Sequence, residues 1–231
     1  MRIGILQTGL APDALVADMG DYPDMFARLL AGHGFTFDTW RVVDMQFPSG
    51  VHDADGWLLT GSRHGAYDDL PFIAPLEDFI RAAYAAAVPM VGVCFGHQII
   101  AQAMGGKVEK FAGGWAVGPQ DYNFGGDTLT LNAWHQDQIV VVPKAARVIA
   151  SNDFCTNAAL LYDHALTIQA HPEFQSPFID GLMQTRGRGV VPDDRLRAAA
   201  MRLSDPIHDQ AIAARIASFF HENRAPSAPI R

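Results

Sequence analysis

Apolar residues recur along this chain in two spacings that alternate with each other. Short runs such as "RIGILQT" (2–8), "GWLLTG" (56–61) and "PMVGVC" (89–94) are apolar nearly throughout, the pattern of strands buried on both faces. "FTFDTWRVV" (35–43) alternates with period two and also reads as a strand. Between them, "DYPDMFARLLAGHG" (21–34) predicts a helix ending at glycine. "PFIAPLEDFIRAAYAAA" (71–87) carries Phe72, Leu76, Phe79, Ile80 and Ala83 at helical spacing, and "FGHQIIAQAMGG" (95–106) reads as a helix closed by a glycine pair.

After Gly106 the texture changes. "KVEKF", "WAVGPQDYNF", "TLTLNAW" and "QIVVVP" read as successive strands joined by turns, and "ALTIQAHPEF" (165–174) as a strand that runs into a loop at Pro172. Helical segments near 175–187 and 206–222 follow, with a polar Pro/Ala tail behind them. Strands alternating with helices predict an α/β fold, a mainly parallel central sheet flanked by helices, with a small antiparallel insertion after residue 106. No repeat or linker divides the chain, so residues 1–231 are expected to form one domain with a helical C-terminal extension from about 190.

Composition narrows the function. Lys and Arg number 17 against 25 Asp and Glu, a net charge of −8, and no basic cluster appears. Nucleic acid and anionic membranes are therefore not expected as partners. The start, "MRIGILQTGL", lacks a secretory pattern, and the longest apolar stretch, Ala82 to Phe95, is too short to span a bilayer. Two cysteines are too few for a disulfide framework, so a reducing cytoplasm is the simplest expectation.

One of those cysteines stands out. Cys94 falls where a buried strand ends and a helix begins, with Gly92 and Gly96 each two residues away. Such a turn strains the nucleophile's backbone, and small neighbours let the chains pass closely. It aims the sulfur over the carboxyl ends of the strands, where open α/β sheets keep their ligands. The helix N-terminus beside it favours the thiolate, and the Phe95 N–H is placed to donate to a developing oxyanion. A buried structural thiol is the competing reading, and it is the one that fits Cys155 in "NDFCTNAAL".

A cysteine nucleophile needs a base, and the base needs an orienting group. His171 follows an apolar strand in "TIQAHPEF", and Glu173, two positions on, leaves the same face of an extended backbone. A carboxylate there would fix the imidazole's tautomer and stabilise its charged form. The alternative is a solvated Glu173 beside a strand-end histidine.

"GVCFGHQ" followed by "HPE" resembles the class I glutamine amidotransferases, whose glutaminase domain carries a Cys-His-Glu triad. "LLTGSRHGAYDD" (58–69) is similar to that family's glycine-bearing oxyanion strand, and "GGKVEKFAGGWAVG" (105–118) to the segment after the nucleophile helix. "WHQDQIVVVP" (134–143) sits where relatives carry a Ser-His-Gly-Asp type motif, with Trp134 and Gln136 in place of the serine and glycine. The resemblance implies a flavodoxin-like sheet and catalysis by Cys94, His171 and Glu173. Phe95 with Gly61 or Ser62 would form the oxyanion hole, and Gln98, Trp134, His135, Gln136 and Asp137 would meet the substrate.

The implied reaction is hydrolysis of the γ-carboxamide of glutamine through a γ-glutamyl thioester, with release of ammonia. The chain carries no G-x-x-x-x-G-K-[ST] phosphate loop and no well-spaced metal-ligand cluster, so neither cofactor nor metal is expected. Ammonia would pass to a separate synthase subunit, or the chain would act alone as a γ-glutamyl peptide or amide hydrolase. A cysteine-elbow redox or chaperone-like protein is the rival from another class, and it would need neither His171 nor Glu173.

Overall fold

The computed structural model describes residues 1–224, and the polar Pro/Ala tail lies outside the described residues. In chain order the elements are β1 (Arg2–Leu6), α1 (Asp13–Met19), α2 (Tyr22–Leu29), β2 (Thr36–Trp40), β3 (Gly56–Leu59) and α3 (Ile73–Ala85). Next come β4 (Met90–Val93), α4 (Phe95–Ala103), β5 (Lys107–Lys110), β6 (Ala116–Phe124), β7 (Asp127–His135) and β8 (Asp137–Val141). The chain then forms β9 (Arg147–Ala150), β10 (Ala159–Leu161), β11 (Ala165–Ile168), α5 (Ser176–Leu182), α6 (Asp193–Arg202) and α7 (Asp209–Glu222).

Seven strands form one sheet in the order β2-β1-β3-β4-β11-β10-β9. The first five run parallel, while β10 and β9 add an antiparallel edge. Two antiparallel ladders, β5 with β8 and β6 with β7, make up the insertion expected after residue 106.

Strand alternation divides the core in two. Ile3, Ile5, Leu58, Val91 and Ile168 meet α2 and α7 through Phe26, Ile212, Ile216 and Phe220. Leu6, Trp57, Leu59 and Met90 point the other way, onto Leu76 and Ile80 of α3 and Ile99 and Ile100 of α4. Helices on both faces explain why the central strands carry apolar side chains without alternation. Each fully buried Leu or Ile contributes about 1.5–3 kcal/mol to this packing.

Several boundaries differ from the sequence reading. The helix expected over 21–34 spans only Tyr22–Leu29, with Asp21 as its N-cap in a reciprocal capping box with Asp24. Gly32 and Gly34 adopt φ of 84° and 77°, which ends the helical path early. The strand expected over 35–43 ends at Trp40 and gives way to a single 3-10 turn at Val42–Asp44. The strands β9 and β10 and the helices α1 and α6 were not anticipated; each of the two helices buries a single residue, Leu15 and Ala199, so neither carries an apolar stripe.

Candidate active site

The carboxyl ends of three adjacent parallel strands converge here. β4 hands over directly to α4 at Cys94, whose φ of 52° and ψ of −102° lie in the left-handed half of backbone space. Such a conformation costs a non-glycine residue roughly 1–3 kcal/mol and persists only where its surroundings enforce it. They do so through close backbone contact. The Cys94 N–H donates to the Ile168 carbonyl, and the Gly96 N–H donates to the Thr60 carbonyl at the end of β3. A Cβ on Gly96 would lie 2.4 Å from the Leu59 oxygen, and one on Gly92 2.4 Å from the Gly96 oxygen. The two flanking glycines are thus required by contact rather than by flexibility.

His171 arrives by a route the sequence did not indicate. β11 stops at Ile168 instead of running on to 174, and the chain crosses to β7, where the His171 N–H donates to the Asn132 carbonyl at 2.8 Å. Residues 171–174 then form a turn closed by the Phe174 N–H on the His171 oxygen. His171 and Glu173 meet because the backbone turns, and not because they share one face of a strand. His171 Nδ1 donates to Glu173 Oε1 at 2.7 Å, and the Glu173 side chain is fully buried.

Gly61 joins the pieces. A methyl group on it would lie 2.8 Å from His171 Cε1 and 3.8 Å from Cys94 Cβ, so sulfur and imidazole flank the same glycine. Burial by itself would lower the His171 pKa. The Glu173 carboxylate and the Cys94 side chain beside it outweigh burial and raise it to about 10. The imidazole is therefore charged at neutral pH. No acceptor engages the amides of Gly61, Ser62 or Phe95 among the described residues.

A cavity of about 600 Å³ opens above this group. Cys94, His171, Ser62 and Gln98 line it, as do Trp134, His135, Gln136 and Asp137. Gln98 gives its Nε2 to the Asp137 carbonyl at 2.9 Å and to Gln169 Oε1 at 3.1 Å, so only its oxygen remains for a ligand. His135 is buried, and desolvation, helped by the nearby His171, lowers its pKa to about 3. It is neutral and cannot serve as a cationic partner for a carboxylate. Asp137 accepts from the Tyr67 hydroxyl at 3.1 Å, and burial raises its pKa. Gln136 reaches back to the Phe111 carbonyl.

His97 packs beside the turn and is fully buried. Its Nε2 donates to the Asn157 carbonyl and its Nδ1 accepts from the Thr167 hydroxyl, while burial lowers its pKa to about 3. Cys155 is a buried core thiol whose pKa burial pushes up to about 12.

Some of the site was not singled out in the sequence. Tyr22, Lys110, Trp115, Arg186 and Arg188 line the cavity, and Asn132 secures the turn that carries His171. Asn132 left no trace, because in the alternating "TLTLNAW" it falls on the same side as the polar Thr128 and Thr130, and only the fold buries it. Arg186 and Arg188 enter through a π-helical turn, Met183–Gly187, which no spacing rule anticipates. No group of three or more His, Cys, Asp or Glu side chains is placed to hold a metal ion among the described residues. No helix among them is long and apolar enough to cross a membrane.

Known proteins resemble this chain in sequence and in fold. The chain is 34% identical to gamma-glutamyl peptidase 4 of Arabidopsis thaliana over 173 residues, 67% of this chain and 68% of the relative. It is 27% identical to a putative glutamine amidotransferase-like protein of Schizosaccharomyces pombe over 96% of this chain and 99% of the relative. The fold matches a solved glutamine amidotransferase of Methylobacillus flagellatus with a TM-score of 0.79 at 23% identity, covering 100% of this chain and 97% of that one. The family model for class-I glutamine amidotransferases matches residues 26–181, and the chain belongs to that family of amidotransferase and hydrolase enzymes.

Proposed function

We propose that the protein is a cysteine amidase that cleaves the bond between the γ-carbonyl carbon and its nitrogen in γ-glutamyl compounds. The observation that carries this reading is a buried His171–Glu173 pair, 2.7 Å apart, set beside a cysteine on a strained strand-to-helix turn. Cys94 attacks the γ-carbonyl as the thiolate. The oxyanion accepts from the amides of Phe95 and of Gly61 or Ser62, where losing one donor costs about 10²–10³ in rate. His171, held charged by Glu173, gives its proton to the departing nitrogen, and the carbon–nitrogen bond breaks to leave a γ-glutamyl thioester. The neutral imidazole then takes a proton from water, hydroxide adds to the thioester, and glutamate leaves with Cys94 restored. Every bond and proton change falls on this chain's own groups and on water.

Glutamine is the smallest substrate of this kind and would release ammonia, either to water or to a separate synthase subunit. The cavity favours larger ones. At about 600 Å³ it has the size of sites that take drug-sized ligands, well beyond the needs of a single amino acid. γ-Glutamyl peptides and amides fit this volume, and the resemblance to a γ-glutamyl peptidase points the same way. Two free cysteines suit a reducing compartment, and we place the enzyme in the cytoplasm.

The test is a screen of purified protein against glutamine and a panel of γ-glutamyl amides and peptides, with ammonia and amine release measured separately. Turnover is expected on members of the panel and is expected to vanish in Cys94→Ala and His171→Ala. Activity that survives both substitutions rejects the reading.

A further inference from the structure

We propose that one wall of the cavity, formed by Lys110, Trp115, Trp134 and Arg188, is a leaving-group subsite selecting γ-glutamyl compounds whose amine part is flat and carries a carboxylate. This inference rests on the amidase reading above.

Three segments far apart in sequence build the wall. β5 ends on Lys110, which pairs across its ladder with Asp137. Trp115 stands just before β6, and the pairing of Val117 with Trp134 brings the two indoles to 6.2 Å between centroids, tilted by 60°. The π-helical turn delivers the third segment. Gly187 packs so closely that a Cβ on it would lie 3.2 Å from Trp134 Cη2, and Arg188 follows at once, lining the same cavity.

Charge distinguishes this wall from the rest of the molecule. The protein carries −8, yet the cavity lining holds four Lys and Arg side chains besides His171, namely Arg63, Lys110, Arg186 and Arg188, against two carboxylates, Asp68 and Asp137. Asp137 accepts from the Tyr67 hydroxyl and feels the Lys110 charge across the β5–β8 ladder, and Asp68 accepts from the Gly65 amide. Arg186 is committed to the Leu10 carbonyl and the Tyr22 hydroxyl, and Arg63 also faces a neighbouring cleft. Lys110 and Arg188 make no ion pair and donate no side-chain hydrogen bond among the described residues.

With this wall on the leaving-group side, glutamine leaves the four residues without a partner, since its leaving group is ammonia. A planar amine can stack on the open face of one of the two tilted indoles, and a carboxylate on it meets the ammonium and the guanidinium. The step is otherwise unchanged. Sulfur bonds to the γ-carbon, the carbon–nitrogen bond breaks, His171 supplies the proton, and the neutral amine leaves along this wall.

The experiment compares γ-glutamyl-4-nitroanilide with γ-glutamyl-3-carboxy-4-nitroanilide, which share a ring and differ by one carboxylate. The parent enzyme is expected to prefer the carboxylated anilide by about tenfold or more in kcat/KM, the effect of one charged hydrogen bond. In the Lys110→Gln/Arg188→Gln double variant that ratio is expected to fall to within about twofold of one. Trp115→Ala is expected to lower kcat/KM for both anilides relative to glutamine. No preference in the parent, or a preference that survives the double substitution, overturns the inference. Cleavage of glutamine but of neither anilide refutes the subsite and leaves the amidase reading standing. Cleavage of none of the three brings down both.

Discussion

Asn132 grips the turn that carries His171 at both ends. Its backbone carbonyl accepts the His171 N–H at 2.8 Å, and its side-chain Nδ2 donates to the Phe174 carbonyl at 2.8 Å. Between these two bonds the imidazole lies flat on the Phe174 ring, with centroids 3.9 Å apart and planes within 5°. A residue of the insertion thereby fixes the orientation of a side chain that the central sheet delivers.

Asn132→Ala removes the side-chain half of this grip and leaves the buried Phe174 carbonyl without its partner. The expected cost is about 1–3 kcal/mol of stability, measured by denaturant unfolding. Turnover is expected to fall by more than the binding of substrate, because a displaced imidazole affects the chemical step first. A lower kcat with little change in KM would bear this out, and an unchanged kcat would refute it.

The strain at Cys94 makes an unusual ranking. Glycine in a strand or helix ordinarily costs stability relative to alanine, but at a φ of 52° alanine bears a steric penalty that glycine escapes. Cys94→Gly is therefore expected to be more stable than Cys94→Ala by about 1 kcal/mol, with both inactive. Thermal or denaturant unfolding of the pair decides it. The opposite order would show that the turn is not strained.

The elevated His171 pKa links stability to pH. The group is raised from 6.5 in the unfolded chain to about 10 in the fold, so its contribution is complete below about 6.5. It is lost as pH rises through about 10. Glu173→Gln removes the carboxylate that sustains the shift and is expected to lower the imidazole's pKa, as read by NMR titration of His171. The stability gap between parent and variant should narrow from pH 6.5 towards pH 10. A His171 that titrates at the same pH in both proteins would contradict the role given to Glu173.

Much of the site could be read before any fold was known. Gly92, Cys94 and Gly96 mark a tight strand-to-helix turn because close backbone approach leaves no room for a Cβ, and that demand is local to the chain. "HPE" placed a carboxylate two residues from an imidazole, and the pair does meet, although through a turn rather than along a strand. The cavity walls were less legible. Lys110, Trp115 and Arg188 acquire meaning only once β5, β6 and the π-helical turn are brought together.

The sequence by itself determined the alternation of strands and helices, the burial of the central strands on both faces, and the sharp turn at Cys94. These follow from spacing and side-chain volume within short stretches of chain. Tertiary structure alone decided that Asn132 would hold His171, that His135 would be neutral, and that four Lys and Arg side chains would gather in an acidic protein's cavity. Such properties depend on desolvation and on charges brought close in space from distant parts of the chain, and no local pattern encodes them.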